Sequence, residues 1–194
     1  ILYSSYNISH MKIQCIRHGK SQHNVDFNIR GRIAYYDPKN TDPHLTEYGV
    51  VEATRMYNGW KERRFIDCVY VSPLSRTLET AECVFGKYPS VKVIVSDLLL
   101  EAPLGKHTPN FRKPKSQLKN LYPMYDFEGL DEHQIKYSCE ETNADLKERV
   151  DQFVNMLHSQ SCSNICLVGH SSFLQEFLGT QDRIEHCKSY NKYI

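Results

Sequence analysis

Short apolar runs alternate along this chain with longer segments in which apolar residues recur about every 3.6 positions. The runs have the length of buried strands, and the longer segments have the period of amphipathic helices. The predicted strands are 12–16, 65–71, 91–95 and 164–168, and the apolar residues 98–100 extend the third of them to Glu101. The predicted helices are 46–63, 75–85, 142–158 and 173–178.

Strands that alternate with helices indicate an α/β protein with a parallel or mostly parallel sheet, covered by helices on both faces. The segment 25–44 is polar and contains prolines, which predicts a loop with room for one short helix. Residues 102–135 are predicted to form an irregular, lid-like insertion, and long loops of this kind are usually functional. The tail from Gly179 is polar and weakly patterned, so no element is predicted there.

The first ten residues are set apart from the fold. Ser9-His10-Met11 has the form of a cloning scar, which predicts Met11 as the native start and residues 1–10 as a tag. This segment also lacks the apolar stretch of a signal peptide. Residues 11–194 are then predicted to form a single domain, a length that can bury a sizeable core.

Composition and charge narrow the function classes. The 24 basic and 23 acidic residues nearly cancel, giving a net charge of +1, which predicts neither a nucleic acid nor an anionic membrane as partner. No apolar segment is long enough to span a bilayer. The seven cysteines are an odd, scattered set without a Cys-x-x-Cys pair, which favours reduced thiols in the cytoplasm and no metal site. No apolar stripe indicates an oligomeric state.

Candidate chemistry begins where the first strand ends, at Arg17-His18-Gly19. Ligands of open α/β sheets bind at the carboxyl ends of the strands. A guanidinium fork suits phosphate oxygens, and a neutral imidazole such as that of His18 can attack phosphorus. Asn24, a little further on, adds a neutral donor. Taken alone, a histidine at a strand end is more often a structural residue.

Three other residues also lie at or just after the end of a predicted strand or apolar run. Arg76 follows the second strand, Glu101 ends the apolar run after the third, and His170 follows the last. Each has an ordinary structural explanation: a surface arginine, a solvated carboxylate and a buried histidine. Because the ends of parallel strands meet at one edge of the sheet, we expect these side chains to lie close to His18.

The motifs resemble the histidine phosphatase superfamily, also called phosphoglycerate-mutase-like, in its branch 1. The resemblance runs from about residue 11 to residue 178 and rests on four segments in order: Arg17-His18-Gly19-Lys20-Ser21-x-x-Asn24, Leu45-Thr46-x-x-Gly49, Ser72-Pro73-Leu74-x-Arg76-Thr77-x-x-Thr80-Ala81 and Gly169-His170-Ser171. It implies a three-layer α/β/α sandwich. It also implies a two-step phosphoryl transfer that needs no metal or organic cofactor.

The resemblance assigns roles to the strand-end residues. His18 would attack phosphorus in line and become a phosphohistidine, while Arg17, Arg76 and His170 would surround the non-bridging oxygens. Asn24 would donate to the phosphate. Glu101 would protonate the leaving alcohol and then help water to attack the phosphohistidine. The expected substrate is a small phosphorylated molecule.

Several alternatives stay open at this point. Lys20 and Leu100 depart from the family pattern, and Leu100 makes the assignment of the acid to Glu101 less secure than that of the nucleophile to His18. Four other carboxylates are rivals for the acid role, although the first two are better explained as helix-surface residues: Glu79, Glu82, Glu140 and Glu141. Five basic residues of the insertion are candidates for a lid over an anionic substrate, with a solvated loop as the ordinary explanation: Lys106, His107, Arg112, Lys113 and Lys115. The modest insertion favours a phosphatase over a phosphoglycerate mutase. A phosphate-binding module without turnover is the competing class.

Overall fold

The computed structural model of the chain describes residues 11–86 and 91–194. Within those residues five strands form one sheet, in the order β3-β2-β4-β1-β5. Its strands are β1 (Lys12–Arg17), β2 (Cys68–Val71), β3 (Lys92–Val95), β4 (Asn164–Gly169) and β5 (Ser189–Tyr193). The first four are mutually parallel, and β5 pairs antiparallel with β1 at the edge. The predicted tag, residues 1–10, lies outside the described residues.

Helices cover both faces of this sheet. They are α1 (Gln22–Arg30), α2 (Glu47–Gly59), α3 (Ser75–Phe85), α4 (Lys115–Leu121), α5 (Asn143–His158) and α6 (Ser171–Leu178). One core packs α2 and α3 against Val69 and Val71 of β2. The other packs α5 and α6 against Cys68 and Tyr70, the alternate residues of the same strand. The fold is therefore the expected three-layer α/β/α sandwich with a mostly parallel sheet.

Hydrogen-bonded caps set the starts of two predicted helices. The Thr46 hydroxyl accepts the N–H of Gly49 at 3.0 Å and begins α2, and Thr142 forms a capping box with Asp145 at the start of α5. The C-terminal end of α2 differs from the prediction, because the helix stops at Gly59 and a separate 3₁₀ turn follows at Lys61–Phe65. Strand β2 begins later than predicted, at Cys68.

Three regions carry more structure than the sequence predicts. The sequence predicts a loop with room for one short helix over 25–44, and the structure has the end of α1 there, followed by two 3₁₀ turns, Gly31–Tyr36 and Pro38–Asn40. Helix α4 and the turn Thr108–Asn110 lie within the insertion. Strand β5 arises from the polar tail. Among the described residues, no helix combines the length and the apolar character that crossing a bilayer requires.

Candidate active site

Pairing between central strands brings the first and last motifs together. Arg17 is the register partner of Gly169, and the N–H of His18 donates to the Gly169 carbonyl at 3.0 Å. The chain leaves both strands at this point, so the rings of His18 and His170 lie 5.2 Å apart between centroids. The sheet therefore juxtaposes two histidines that are distant in the sequence.

Two glycines fix the loop that carries His18. A Cβ at Gly19 would meet the Gly49 carbonyl oxygen at 2.5 Å, so only glycine allows this loop to lie against the start of α2. The N–H of Gly19 donates to the Thr80 hydroxyl at 3.1 Å, and the N–H of Thr46 donates to the Lys20 carbonyl at 2.9 Å. Backbone contacts with the start of α2 and the hydrogen bond to the Thr80 hydroxyl thus hold three of the sequence motifs together.

The His18 ring is buried and its tautomer is set by its surroundings. Its Nδ1 lies 2.7 Å from the Gly19 carbonyl, and because a carbonyl only accepts, Nδ1 carries the hydrogen. Burial lowers the pKa of His18 well below its usual value, and the nearby Arg76 and His170 lower it further. At neutral pH this imidazole is uncharged, with its lone pair on Nε2. The side chain lines a cavity of about 300 Å³.

His170 is fully buried beside this cavity. Its Nε2 is hydrogen-bonded to the Ser72 hydroxyl at 2.8 Å, which ties the last motif to the middle one. Its Nδ1 has no hydrogen-bond partner in the part of the chain that the structure describes. Burial lowers the pKa of His170 well below its usual value, and the positive charge of Arg76 is the second largest cause. A buried ring nitrogen without a partner is suited to contact a bound ligand.

Arg76 is a fully buried cation without a carboxylate partner among the described residues. It lies in the first turn of α3 and is 0% exposed. Its Nη1 donates to the Pro109 carbonyl at 2.6 Å and its Nη2 donates to the Asn110 side chain at 3.3 Å, while Nε has no partner there. Burial lowers its pKa to about 10, so the guanidinium stays charged at pH 7. A buried cation without a direct carboxylate partner is costly and is typical of an anion site.

Arg17 adds a second guanidinium at the same edge. Its Nη1 donates to the Ile184 carbonyl at 2.8 Å, and its Nε has no partner among the described residues. Its side chain lines the cavity together with His18. Burial also lowers the pKa of Arg17. Two guanidinium groups therefore lie close to one imidazole, in surroundings that exclude most water.

Glu101 lies across the cavity, at the N-terminus of α6. Its carboxylate accepts backbone N–H groups from Ala102 at 2.9 Å, Ser172 at 3.1 Å and Phe173 at 3.3 Å. These donors fix the side chain in the cavity lining. The rival carboxylates are engaged elsewhere: Glu79 with the Leu45 N–H, Glu82 with the Tyr125 hydroxyl, Glu140 with Lys106 and Glu141 with Arg149. Of these five carboxylates, Glu101 is the one that lines the cavity.

Asn24 also lines the cavity, but its amide is part of a local network. Its Oδ1 accepts from the Ser21 N–H at 3.0 Å and from the Ser21 hydroxyl at 2.8 Å. Its Nδ2 lies 3.0 Å from Nε2 of His23, a buried histidine whose ring centroid is 6.2 Å from that of His18. A phosphate donor role for Asn24 requires its amide to exchange the His23 contact for the ligand.

Sequence reasoning missed residues that approach the site from polar segments. His186 contacts the His18 carbonyl through Nδ1 at 2.6 Å, and its ring centroid lies 5.4 Å from that of His18. Burial and Arg17 lower the pKa of His186 to about 4. Tyr35 and His23, which the sequence also did not mark, line the cavity as well. No local pattern marks these residues, because their positions depend on the folding of loops.

The basic residues of the insertion mostly anchor it to the protein. Arg112 forms a salt bridge with Asp97 at 2.7 Å. Lys113 Nζ lies 2.7 Å from the Asp42 carboxylate, and Lys115 donates to the Leu130 carbonyl at 2.8 Å. Of the five residues considered for a basic lid, His107 alone lines the cavity. The structure therefore does not form that lid.

The comparisons with known proteins agree with this geometry. The model of the "Histidine phosphatase superfamily (branch 1)" matches residues 13–185. The chain belongs to this superfamily. A "Probable phosphoglycerate mutase" from Arthroderma benhamiae is 28% identical over 84% of this chain, which spans only 55% of that relative. The 5''-phosphoribostamycin phosphatase of Niallia circulans is 26% identical over 85% of this chain and 75% of its own length.

Solved structures show the same superfamily fold. The alpha-ribazole phosphatase from Shigella flexneri aligns with a TM-score of 0.61 and 21% identity, covering 93% of this chain and 89% of its own. The chain is thus a histidine phosphatase superfamily protein whose relatives are named as phosphatases and as phosphoglycerate mutases. Among the described residues, no group of three or more histidine, cysteine or acidic side chains is arranged to hold a metal ion.

Proposed function

We propose that this protein hydrolyses a small phosphate monoester through a phosphohistidine formed on His18. The observation that carries the proposal is the buried, uncharged His18 imidazole beside Arg76 and Arg17, two cations that form no direct salt bridge among the described residues and interact with the Glu101 carboxylate only at longer range. A neutral imidazole has the lone pair that attack on phosphorus needs. The cations attract and hold a dianionic phosphate next to it.

The proposed phosphate-binding site beside His18 is preorganised. Backbone carbonyls orient both guanidinium groups before any ligand arrives, so little reorganisation accompanies the reaction. His170 Nδ1 supplies a further contact, and a bound dianion would raise the pKa of that histidine and favour its protonated, donating form. Charge on the three non-bridging oxygens is then compensated as the phosphoryl group moves.

The reaction has two displacements. In the first, Nε2 of His18 forms a bond to phosphorus while the bond to the alcohol oxygen breaks, and Glu101 supplies the proton that the alcohol takes up. In the second, water attacks phosphorus, its proton passes to Glu101, and the bond between phosphorus and Nε2 breaks. Inorganic phosphate leaves and His18 regains its neutral form. No metal or organic cofactor enters these steps.

Replacing Glu101 by glutamine separates the acid role from mere positioning. The amide keeps an oxygen that accepts the N–H groups of Ser172 and Phe173 but carries no proton to transfer. We expect kcat/KM for alkyl phosphates to fall by about 10²- to 10⁴-fold, the usual range for a general acid. For 4-nitrophenyl phosphate, whose leaving group needs no proton, the fall should be much smaller. An equal loss on both substrates would assign the acid role to another residue.

Hydrolysis is favoured over mutase chemistry because cations of the insertion, residues 102–135, are paired with carboxylates. A mutase must return the phosphoryl group to an anionic substrate before water reaches it, and the cations that would assist are here tied to Asp97 and Asp42. The mutase alternative is supported by relatives that are named as phosphoglycerate mutases.

Seven free cysteines favour a reducing compartment such as the cytoplasm.

A direct assay distinguishes the three functions. The purified chain, without added metal, is supplied with 4-nitrophenyl phosphate and, separately, with 3-phosphoglycerate and a bisphosphoglycerate primer. A phosphatase releases phosphate from the first at a rate proportional to enzyme. A mutase interconverts the phosphoglycerates rapidly and releases little phosphate. Saturable phosphate binding without either reaction would identify a binding module and contradict the proposal.

A further inference from the structure

A second cavity of about 570 Å³ adjoins the one that holds His18. The two share four lining residues: Arg17, Asn24, Tyr35 and Ser171. Lys20 and Arg183 line the second cavity but not the first. A phosphate beside His18 would therefore have its alcohol portion within reach of this second space.

Cations outnumber carboxylates on the lining of this cavity. Lys20, Arg17 and Arg183 contribute three positive charges, and Glu52 contributes the one carboxylate. Glu52 Oε2 accepts the backbone N–H of Lys20 at 2.9 Å and, without a direct salt bridge, offsets part of the charge of Arg17. Among the described residues, neither the half-buried Lys20 nor the exposed Arg183 forms a salt bridge, although Glu185, which lies outside this cavity and is itself paired with Lys188, interacts with Arg183 at longer range.

These cations also lie close enough to repel one another. After burial and Arg17, both Arg183 and Lys20 contribute to the lowered pKa of His186, which lines the same cavity. Arg183 likewise lowers the pKa of Arg17. His186 is therefore neutral at pH 7 and leaves the excess positive charge unchanged. Binding of an anion would relieve this repulsion.

The insertion offers no equivalent site. Arg112 and Lys113, its cations near the protein core, are paired with Asp97 and Asp42. Lys20 is different, since it occupies the one position of the first motif where this chain departs from the family pattern. The uncompensated charge thus lies on the side of β1 and α6, next to His186.

An aromatic stack separates the two cavities. The Tyr35 ring is stacked on Phe27 with centroids 4.9 Å apart and on His107 with centroids 4.7 Å apart. Tyr35 lines both cavities, Phe27 the second and His107 the first. A short apolar spacer of a bound substrate can pack on the edge of the Tyr35 ring while the polar groups at its two ends occupy the two cavities.

We propose that the second cavity binds a second anionic group of the substrate, a phosphate or a carboxylate, through Lys20 and Arg183. This inference rests on the proposed function and specifies its substrate class: a phosphate monoester whose alcohol carries another anion a few bonds away. The first cavity holds the phosphate that is transferred. The second holds the anion that stays with the leaving alcohol.

Matched substrates with one spacer test this proposal. Values of kcat/KM are measured for 4-hydroxybutyl phosphate, butane-1,4-diyl bisphosphate and 4-carboxybutyl phosphate, with 4-nitrophenyl phosphate as the reference. The wild type should prefer a substrate with an anionic far end, phosphate or carboxylate, over 4-hydroxybutyl phosphate by at least about tenfold, the scale of one added charge-assisted hydrogen bond. Arg183→Ala and Lys20→Ala should lose most of that preference. Arg64→Ala, which removes an exposed cation from the turn before β2, should retain it.

Binding provides the independent readout. Calorimetry on His18→Ala measures the affinities of the bisphosphate and the monophosphate without turnover, and the same comparison is made with His18→Ala/Arg183→Ala. If the wild type hydrolyses 4-nitrophenyl phosphate but treats the butyl substrates alike, the second site is wrong and the proposed function stands. If nothing is hydrolysed yet the bisphosphate binds selectively through Arg183, the site stands and the proposed function fails.

Two further results bear on the proposal. A preference for the bisphosphate but not for the carboxylate supports the site and identifies its anion as phosphate, and the reverse preference identifies carboxylate. A preference that survives both Lys20→Ala and Arg183→Ala places the second anion elsewhere and overturns the proposal. Absence of both hydrolysis and selective binding overturns the site and the function together.

Discussion

Replacing His18 by alanine is expected to lower kcat for 4-nitrophenyl phosphate by about 10⁴-fold or more, the scale of losing a nucleophile. The reason is specific to this position, because His18 is uncharged with an available lone pair on Nε2, whereas both ring nitrogens of His23, which lines the same cavity, are hydrogen-bonded. His170 is hydrogen-bonded to Ser72, and His186 to the His18 carbonyl. Initial rates over a range of substrate concentrations measure the effect.

The matched control for this substitution is His158→Ala. His158 is an exposed histidine at the last residue of α5, far along the chain from the motifs. Its loss should leave kcat within about twofold, as expected for a surface substitution. Circular dichroism and thermal unfolding establish that both variants fold. A folded His18→Ala protein with wild-type turnover would remove the nucleophile from this account.

Replacing Arg76 by alanine is expected to reduce kcat/KM by about 10³-fold, close to 4 kcal/mol of transition-state stabilisation. The Arg76 guanidinium is fully buried, and after burial it is the charged group that contributes most to the lowered pKa of His18. Without it, the developing charge on the phosphoryl oxygens loses its main buried counterion. Inhibition by inorganic phosphate should weaken in parallel.

Arg76→Lys keeps this prediction testable if the alanine variant is unstable. Arg76→Ala removes a fully buried side chain and leaves the Pro109 carbonyl without its donor, which costs about 1–3 kcal/mol of stability. Lysine retains the charge but cannot donate as a fork to two phosphate oxygens. We expect its kcat/KM to lie between those of the wild type and the alanine variant. Activity within a few-fold of wild type in both variants would exclude Arg76 from the site.

The parallel core of the sheet could be predicted because its strands are buried on both faces. Residues such as Val69 and Val71 pack into one core while Cys68 and Tyr70 pack into the other, so the run is apolar throughout. Strand β5 has no such signature. It lies at the edge, pairs with β1 alone, and its sequence Ser189–Tyr193 is mostly polar. Edge strands are specified by tertiary pairing, which a local pattern does not reveal.

The difference between buried apolar strands and polar segments positioned by tertiary pairing also explains which site residues could be predicted. His18 and His170 follow apolar runs, and the parallel register of β1 and β4 was enough to bring them together. His186 and Arg183 belong to the polar tail, whose path back to the sheet follows from β5 and from the contact of His186 with His18. The lid predicted from basic residues failed for a related reason. Carboxylates distant in the sequence, Asp97 and Asp42, neutralise those cations.

The central claim is that His18 carries the phosphoryl group, and rapid-quench labelling tests it most directly. The protein is mixed with a phosphate monoester labelled in the phosphoryl group, quenched within the first turnover, and mapped by peptide. The account predicts label on the peptide containing His18, stable in alkali, lost in acid and absent from His18→Ala. Hydrolysis that proceeds at full rate with no such label, or with label on another residue, would contradict it.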